Sequence, residues 1–122
     1  MNKTKIGKQE VIHFIGIGGI GMSGLAQIMK TMGFNVQGSD ININKNTDNC
    51  KKLGIKILKG HFKKNILNAK IIVKSSAIKK NNIELLYSKK RKIPSYDRIE
   101  MLANIIDLKK NIIVTGSHGK TT

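Results

Sequence analysis

Tryptophan is absent from this 122-residue chain, and cysteine and proline occur once each. A single cysteine, Cys50, excludes an internal disulfide framework and a thiolate metal cluster. No apolar run approaches the roughly 18 residues that a membrane span requires. Residues 1–10 are polar and Lys-rich, with no apolar stretch before Val11 and no small-residue cleavage site, which argues against a secretory signal. A cytoplasmic protein with no membrane partner is the expectation. Acids are also scarce: seven Asp and Glu stand against 23 Lys and Arg, a net charge of +16. Such an excess would suit a nucleic-acid binder. However, 21 of those 23 are Lys, and Ile (21) and Asn (12) are in excess with it. All three have A/T-rich codons, so one mutational bias accounts for them together. Aromatics are only 4% and are not interleaved with basic residues as a stacking surface requires. No nucleic-acid partner is expected.

What is present is a regular alternation of short apolar runs and helical periods. Residues 11–15 read as a buried strand ending in glycines. In residues 22–32 the apolar positions Met22, Leu25, Ala26, Met29 and Met32 fall at helical spacing before Gly33. Strands are expected at 34–38, 55–58 and 70–74, and a short helix at 48–53. A further helix is expected at 82–90, an extended segment at 93–96, and a helix at 98–108 with Ile99, Leu102, Ala103 and Ile106 on one face. Residues 112–115 read as a last strand. Alternating elements with short connections argue for an α/β fold with a doubly wound, mostly parallel sheet. The division expected is a polar tail (1–10), one nucleotide-binding domain (11–108), and the first strand and phosphate loop of a truncated further domain (109–122).

Two glycine-rich loops carry the chemistry. Gly16, Ile17, Gly18, Gly19, Ile20 and Gly21 follow the first strand, with glycines at the G-x-G-x-x-G positions. There, backbone amides and the positive end of the next helix can receive a diphosphate. Asp40 ends the second strand, where a dinucleotide fold places an acid for a ribose hydroxyl. The second loop is Gly116, Ser117, His118, Gly119, Lys120, Thr121 and Thr122, ending in the Gly-Lys-Thr of a Walker A loop but with only two residues between its glycines. Taken by itself the first loop also fits a stand-alone NAD(H)-binding regulatory module, which leaves the second loop unexplained.

The two loops together closely resemble the Mur ligase family. The run from His13 through Gly21 into Met22, Ser23, Gly24, Leu25 and Ala26 carries the resemblance. So do Gly38-Ser39-Asp40, Gly60-His61, Ser75-Ser76-Ala77-Ile78, Glu100-Met101-Leu102-Ala103 and the shortened Walker loop, all in the family's order. Met22-Ser23-Gly24 is closest to the member acting on UDP-N-acetylmuramate and L-alanine. The resemblance implies a Rossmann-like domain for the nucleotide sugar followed by an ATPase domain. It also implies a reaction in which ATP and Mg²⁺ phosphorylate a carboxylate and the amine of L-alanine displaces phosphate. Gly16 to Gly21 with Met22 and Ser23 would hold the diphosphate, Ser39 and Asp40 would meet the uridine, and Ser75, Ser76 and Ala77 would close the site. His61 would be a diphosphate or uracil contact, or else a solvent-exposed loop histidine. Gly116 to Thr122 would bind ATP, with Lys120 on the β/γ-phosphates and Thr121 on Mg²⁺, while the role of His118 stays open.

His13, within a strand, reads as a satisfied core residue. Glu10, Asp40, Asp48, Glu84, Asp97, Glu100 and Asp107 form no close pair on one face, so no catalytic residue is expected within this chain. The segment is expected to bind without catalysing.

Overall fold

The computed structural model describes Gly7 and residues 9–117, with side chains as far as Leu108. Five parallel strands form one sheet in the order β3-β2-β1-β4-β5. They are β1 (Val11–Ile15), β2 (Asn35–Asp40), β3 (Lys56–Lys59), β4 (Ala69–Lys74) and β5 (Ser95–Asp97). Between and after them run α1 (Ile20–Thr31), α2 (Lys45–Lys52), α3 (Ile83–Lys90) and α4 (Arg98–Ser117). A short 3₁₀ turn, Lys63–Ile66, precedes β4.

Alternation along the central strand sorts the core onto two faces. Ile12 and Phe14 of β1 join Met22, Leu25, Ala26 and Met29 of α1, with Met101 and Ile105 of α4, in one buried cluster. Ile15 joins Ile66, Ile72 and Leu85 in the other, beneath α3 and the 3₁₀ turn. His13 therefore faces the α3 side. The methionines of α1 pack as core, as their spacing predicts. Cys50 is fully buried in the first cluster, and burial pushes its thiol pKa up although a hydrogen bond with Gln27 opposes this.

Local chemistry sets the helix starts. Asn44 and Thr47 exchange side-chain-to-backbone bonds in a capping box that opens α2 at Lys45, three residues before the helix read from the sequence. Asn82 caps α3 through the amides of Glu84 and Leu85. Asp97 and Glu100 bond each other's backbone amides at the start of α4.

Helix α4 differs from the sequence reading in two ways. Its buried face is Met101 and Ile105 with Leu102 and Leu108 against them, whereas Ile99 and Ile106 are exposed. Apolar residues lie at helical spacing on both faces, so periodicity does not choose between them. The helix also continues to Ser117, through residues 112–115 where a strand is expected. A strand needs a neighbour for its N–H and C=O groups, and no described strand pairs there, while a helix satisfies them internally.

Candidate functional site

In parallel α/β sheets ligands bind beyond the carboxyl ends of the strands, at the crevice where strand order reverses. Here that crevice lies between β1 and β4. The glycine loop leaves β1 on one side of it and Ser75 leaves β4 on the other, its amide bonded to the Ile15 carbonyl at 3.0 Å.

The inner half of the glycine loop is wired into the fold. The amides of Gly16 and Ile17 donate to the Ser39 carbonyl at 2.8 and 3.1 Å. The Gly18 amide donates to Asp40 Oδ2 at 2.8 Å, and its carbonyl accepts from Asn44 and Asn46 at 3.2 and 2.9 Å. Gly16 has φ +85°, and a Cβ there would lie 2.9 Å from that of Ser75. A Cβ on Gly18 would stand 2.8 Å from Asp40 Oδ2. Asp40 also accepts from the Asn42 amide at 3.0 Å, so each of its oxygens bonds a nearby loop amide. The amides of Gly16, Ile17 and Gly18 are likewise spent on the protein.

The outer half is free. The amides of Ile20, Gly21 and Met22 open α1 with no hydrogen-bond partner in the described structure, and Gly19, Ile20 and Gly21 are exposed. A cavity of about 260 Å³ lies over them, lined by Gly19, Gly21, Met22, Ser75, Ser76, Asp97, Arg98 and Ile99. Arg98 is the residue sequence reasoning missed here. Its Cδ and Nε sit where a Gly21 side chain would begin, 2.9 Å from that Cβ position. No carboxylate forms an ion pair with it among the described residues. Three unpaired amides, the positive end of a helix and an unpaired guanidinium make a site for a doubly charged phosphate group. Ser76 and Ala77 are exposed beside it, and Ala77 bonds the Ser75 hydroxyl through its amide. The Met22 and Ser23 side chains are buried, with Ser23 Oγ bonded to the Ile20 carbonyl. Ile17 is buried as core. A larger cleft, about 390 Å³ between Leu67 and Pro94, lies at the entry ends of β4 and β5, the edge where such sheets do not carry their sites.

The second feature missed is a buried polar cluster around Glu84. The Glu84 side chain is fully buried and accepts four hydrogen bonds. Oε1 receives Ser39 Oγ at 2.7 Å and His13 Nε2 at 2.6 Å. Oε2 receives Asn65 Nδ2 at 2.7 Å and the Phe62 amide at 3.0 Å. Burial pushes the carboxyl pKa up, but the bonds from His13, Ser39 and Asn65 outweigh it and hold the group at about 2. His13 Nδ1 accepts from Gln37 Nε2 at 2.9 Å, and that amide also donates to the Asn65 carbonyl at 2.7 Å. This fixes the Gln37 orientation and leaves the His13 proton on Nε2. His13 is thus the satisfied core residue its place in a strand suggests. Ser39 is fully buried, with its hydroxyl donating to Glu84. His61 follows β3 at the same sheet edge, with Nδ1 at 3.0 Å from Ser39 Oγ and its side chain 13% exposed. It is neither freely solvated nor fully enclosed. One signal in the sequence pointed here: a histidine between apolar neighbours in a buried strand must find a polar partner.

Of the second loop, Gly116 and Ser117 fall in the last turn of α4, and His118, Gly119, Lys120, Thr121 and Thr122 lie outside the described residues.

A five-stranded parallel sheet covered on both faces, with a glycine loop at its switch point, defines a Rossmann-like domain. Residues 11–110 match the Mur ligase family, catalytic domain, and the chain belongs to that family. It is 64% identical over 120 residues to a UDP-N-acetylmuramate–L-alanine ligase of Pelagibacter ubique, covering 98% of this chain and 26% of that one. The corresponding ligase of Aquifex aeolicus is 56% identical over 110 residues, 90% of this chain and 24% of the relative. The crystal structure of UDP-N-acetylmuramate–alanine ligase from Thermotoga maritima superposes with a TM-score of 0.76 at 32% identity, over 81% of this chain and 23% of that chain. The chain spans about a quarter of the length of the curated relatives it matches.

Proposed function

We propose that this chain is the nucleotide-sugar-binding segment of an ATP-dependent ligase that joins L-alanine to UDP-N-acetylmuramate. The reading is supported by the free amides of Ile20, Gly21 and Met22 lying under Arg98 at the β1/β4 crevice. It is supported as well by the names of the relatives that match nearly the whole chain. In this reading the diphosphate sits on the first turn of α1 with Arg98 across it, Ser75 and Ser76 line the far wall, and the nucleoside extends toward Asp40 and His61. Asp40 acts through the loop, holding Gly18 so that the following amides point outward.

The complete reaction is carboxylate activation. The substrate carboxylate attacks the γ-phosphorus of ATP and ADP leaves. The L-alanine amine then adds to the acyl phosphate, expelling phosphate and losing a proton to give the amide. ATP and Mg²⁺ supply the phosphoryl group and its charge neutralisation, and Gly116 to Thr122 would hold them, with Thr121 on the metal. The described residues of this chain bind and orient the nucleotide end.

Arg98→Ala removes the only guanidinium at the cavity and leaves the sheet core untouched. Affinity for UDP is expected to fall about tenfold, the worth of one charge-assisted bond, with an unchanged urea unfolding curve. Calorimetric titration of both proteins checks this, and equal affinity would remove the diphosphate from this cavity.

A further inference from the structure

Among the described residues, the cluster around Glu84 meets the site edge at His61, and it determines which of that imidazole's nitrogens carries a proton. Ser39 Oγ has one hydrogen, and the 2.7 Å contact commits it to Glu84 Oε1. Toward His61 the hydroxyl is therefore an acceptor. The second group facing His61 Nδ1 is Glu84 Oε2 at 3.4 Å, an ionised carboxylate with no hydrogen to give. Both neighbours of Nδ1 accept, so Nδ1 must donate. The remaining capacity of Glu84 is taken by His13 of β1 and by Asn65 and Phe62 in and just before the 3₁₀ turn, which prevent the carboxylate from turning away.

We propose that Glu84, acting through Ser39, is a positioning residue that locks His61 with its proton on Nδ1 and presents Nε2 as the ligand-facing atom. The proposal rests on the reading of this sheet edge as the nucleotide site. With the ring neutral, Nε2 is a bare acceptor for an N–H or O–H of the ligand, such as the imide of a pyrimidine base. A free imidazole prefers the opposite tautomer, so the lock makes the site selective for a donor at this point. It also explains why a carboxylate with four donors is buried beneath a loop that does not otherwise need it.

The test is long-range ¹H–¹⁵N correlation spectroscopy on the ¹⁵N-histidine-labelled chain at about pH 8.5, where ordinary imidazoles are neutral. His61 is expected to show a protonated Nδ1 and a bare Nε2. Ser39→Ala deletes the direct acceptor while leaving Glu84 three of its donors, and is expected to lower the Nδ1–H share of His61 only in part, since Glu84 Oε2 still faces the ring, with the fold retained. Glu84→Gln, which turns an acceptor into a donor, is expected to do the same in whatever fraction stays folded. A bare Nδ1 in the unaltered chain overturns the proposal. So does a His61 tautomer unmoved both in Ser39→Ala and in the folded fraction of Glu84→Gln. Titrating the same samples with UDP separates the two readings. Failure of the unaltered chain to bind UDP sinks the nucleotide site and leaves the tautomer result standing. With binding intact, Ser39→Ala is expected to weaken it roughly tenfold, and unchanged affinity would remove His61 from ligand recognition.

Discussion

Replacing Glu84 with Ala should cost roughly 3–5 kcal/mol of stability, the penalty for breaking a buried charged cluster by removing one partner. The substitution leaves His13 Nε2, Ser39 Oγ, Asn65 Nδ2 and the Phe62 amide without their acceptor in a site that solvent does not reach. Each buried, unsatisfied donor costs about 1–3 kcal/mol, and local relaxation recovers part of the sum. Against a total of about 5–15 kcal/mol for a domain, the variant should be largely unfolded at modest urea concentration. The same cluster predicts an acid response. The folded-state pKa of Glu84 is lowered from 4.5 to about 2, so the folded protein binds that proton less tightly than the unfolded chain does. Its contribution is complete above about pH 4.5 and is lost as the pH falls toward 2. Urea midpoints measured across that range should fall in the unaltered chain, and this component should be missing in Glu84→Gln. A Glu84→Ala variant within 1 kcal/mol of the parent would show that the cluster is not integral to the fold.

The second large effect concerns Gly16. Its φ of +85° lies in the left-handed region, and a Cβ would meet Ser75 Cβ at 2.9 Å and Ile78 Cδ1 at 3.2 Å. Gly16→Val combines the strain of a β-branched residue at positive φ, about 1–3 kcal/mol, with overpacking of similar size. The crossing of β1 and β4 has to open, displacing Ser75 from the cavity wall. A stability loss of about 3 kcal/mol or more is expected, with UDP binding lost in the folded fraction. Gly24 is the control. It lies within α1 with nothing within 4 Å of its Cβ position, so Gly24→Ala should stabilise by roughly 0.5–1 kcal/mol. Chemical denaturation of the two variants tests both signs, and a Gly16→Val as stable as its parent would contradict the loop geometry.

The legible and illegible parts of the sequence divide by the range of the interactions concerned. Strand and helix order could be read because β1, β4 and α1 carry their own periodicity, and the glycine loop could be placed because it follows a strand and opens a helix. The face buried by α4 could not, since Met101 and Ile105 compete with Ile99 and Ile106 and only the packing against α1 decides. The Glu84 cluster draws on residues 13, 37, 39, 61, 65 and 84, which no local pattern links, and an acid in the first turn of a helix looks like an ordinary dipole partner. Arg98 was hidden for a similar reason, as a basic residue at a strand–helix junction in a chain with 23 of them. The position of Asp40 at the end of β2 is legible, but its bonds to the Gly18 and Asn42 amides are not, since they depend on how two loops meet.

Calorimetric titration of this chain with UDP-N-acetylmuramate, in parallel with NADH, tests the central claim most directly. The site described here predicts saturable binding of the uridine nucleotide sugar, weakened by Arg98→Ala, and no saturable heat with NADH. Saturation by NADH with no response to the UDP-sugar would contradict it, and so would silence toward both.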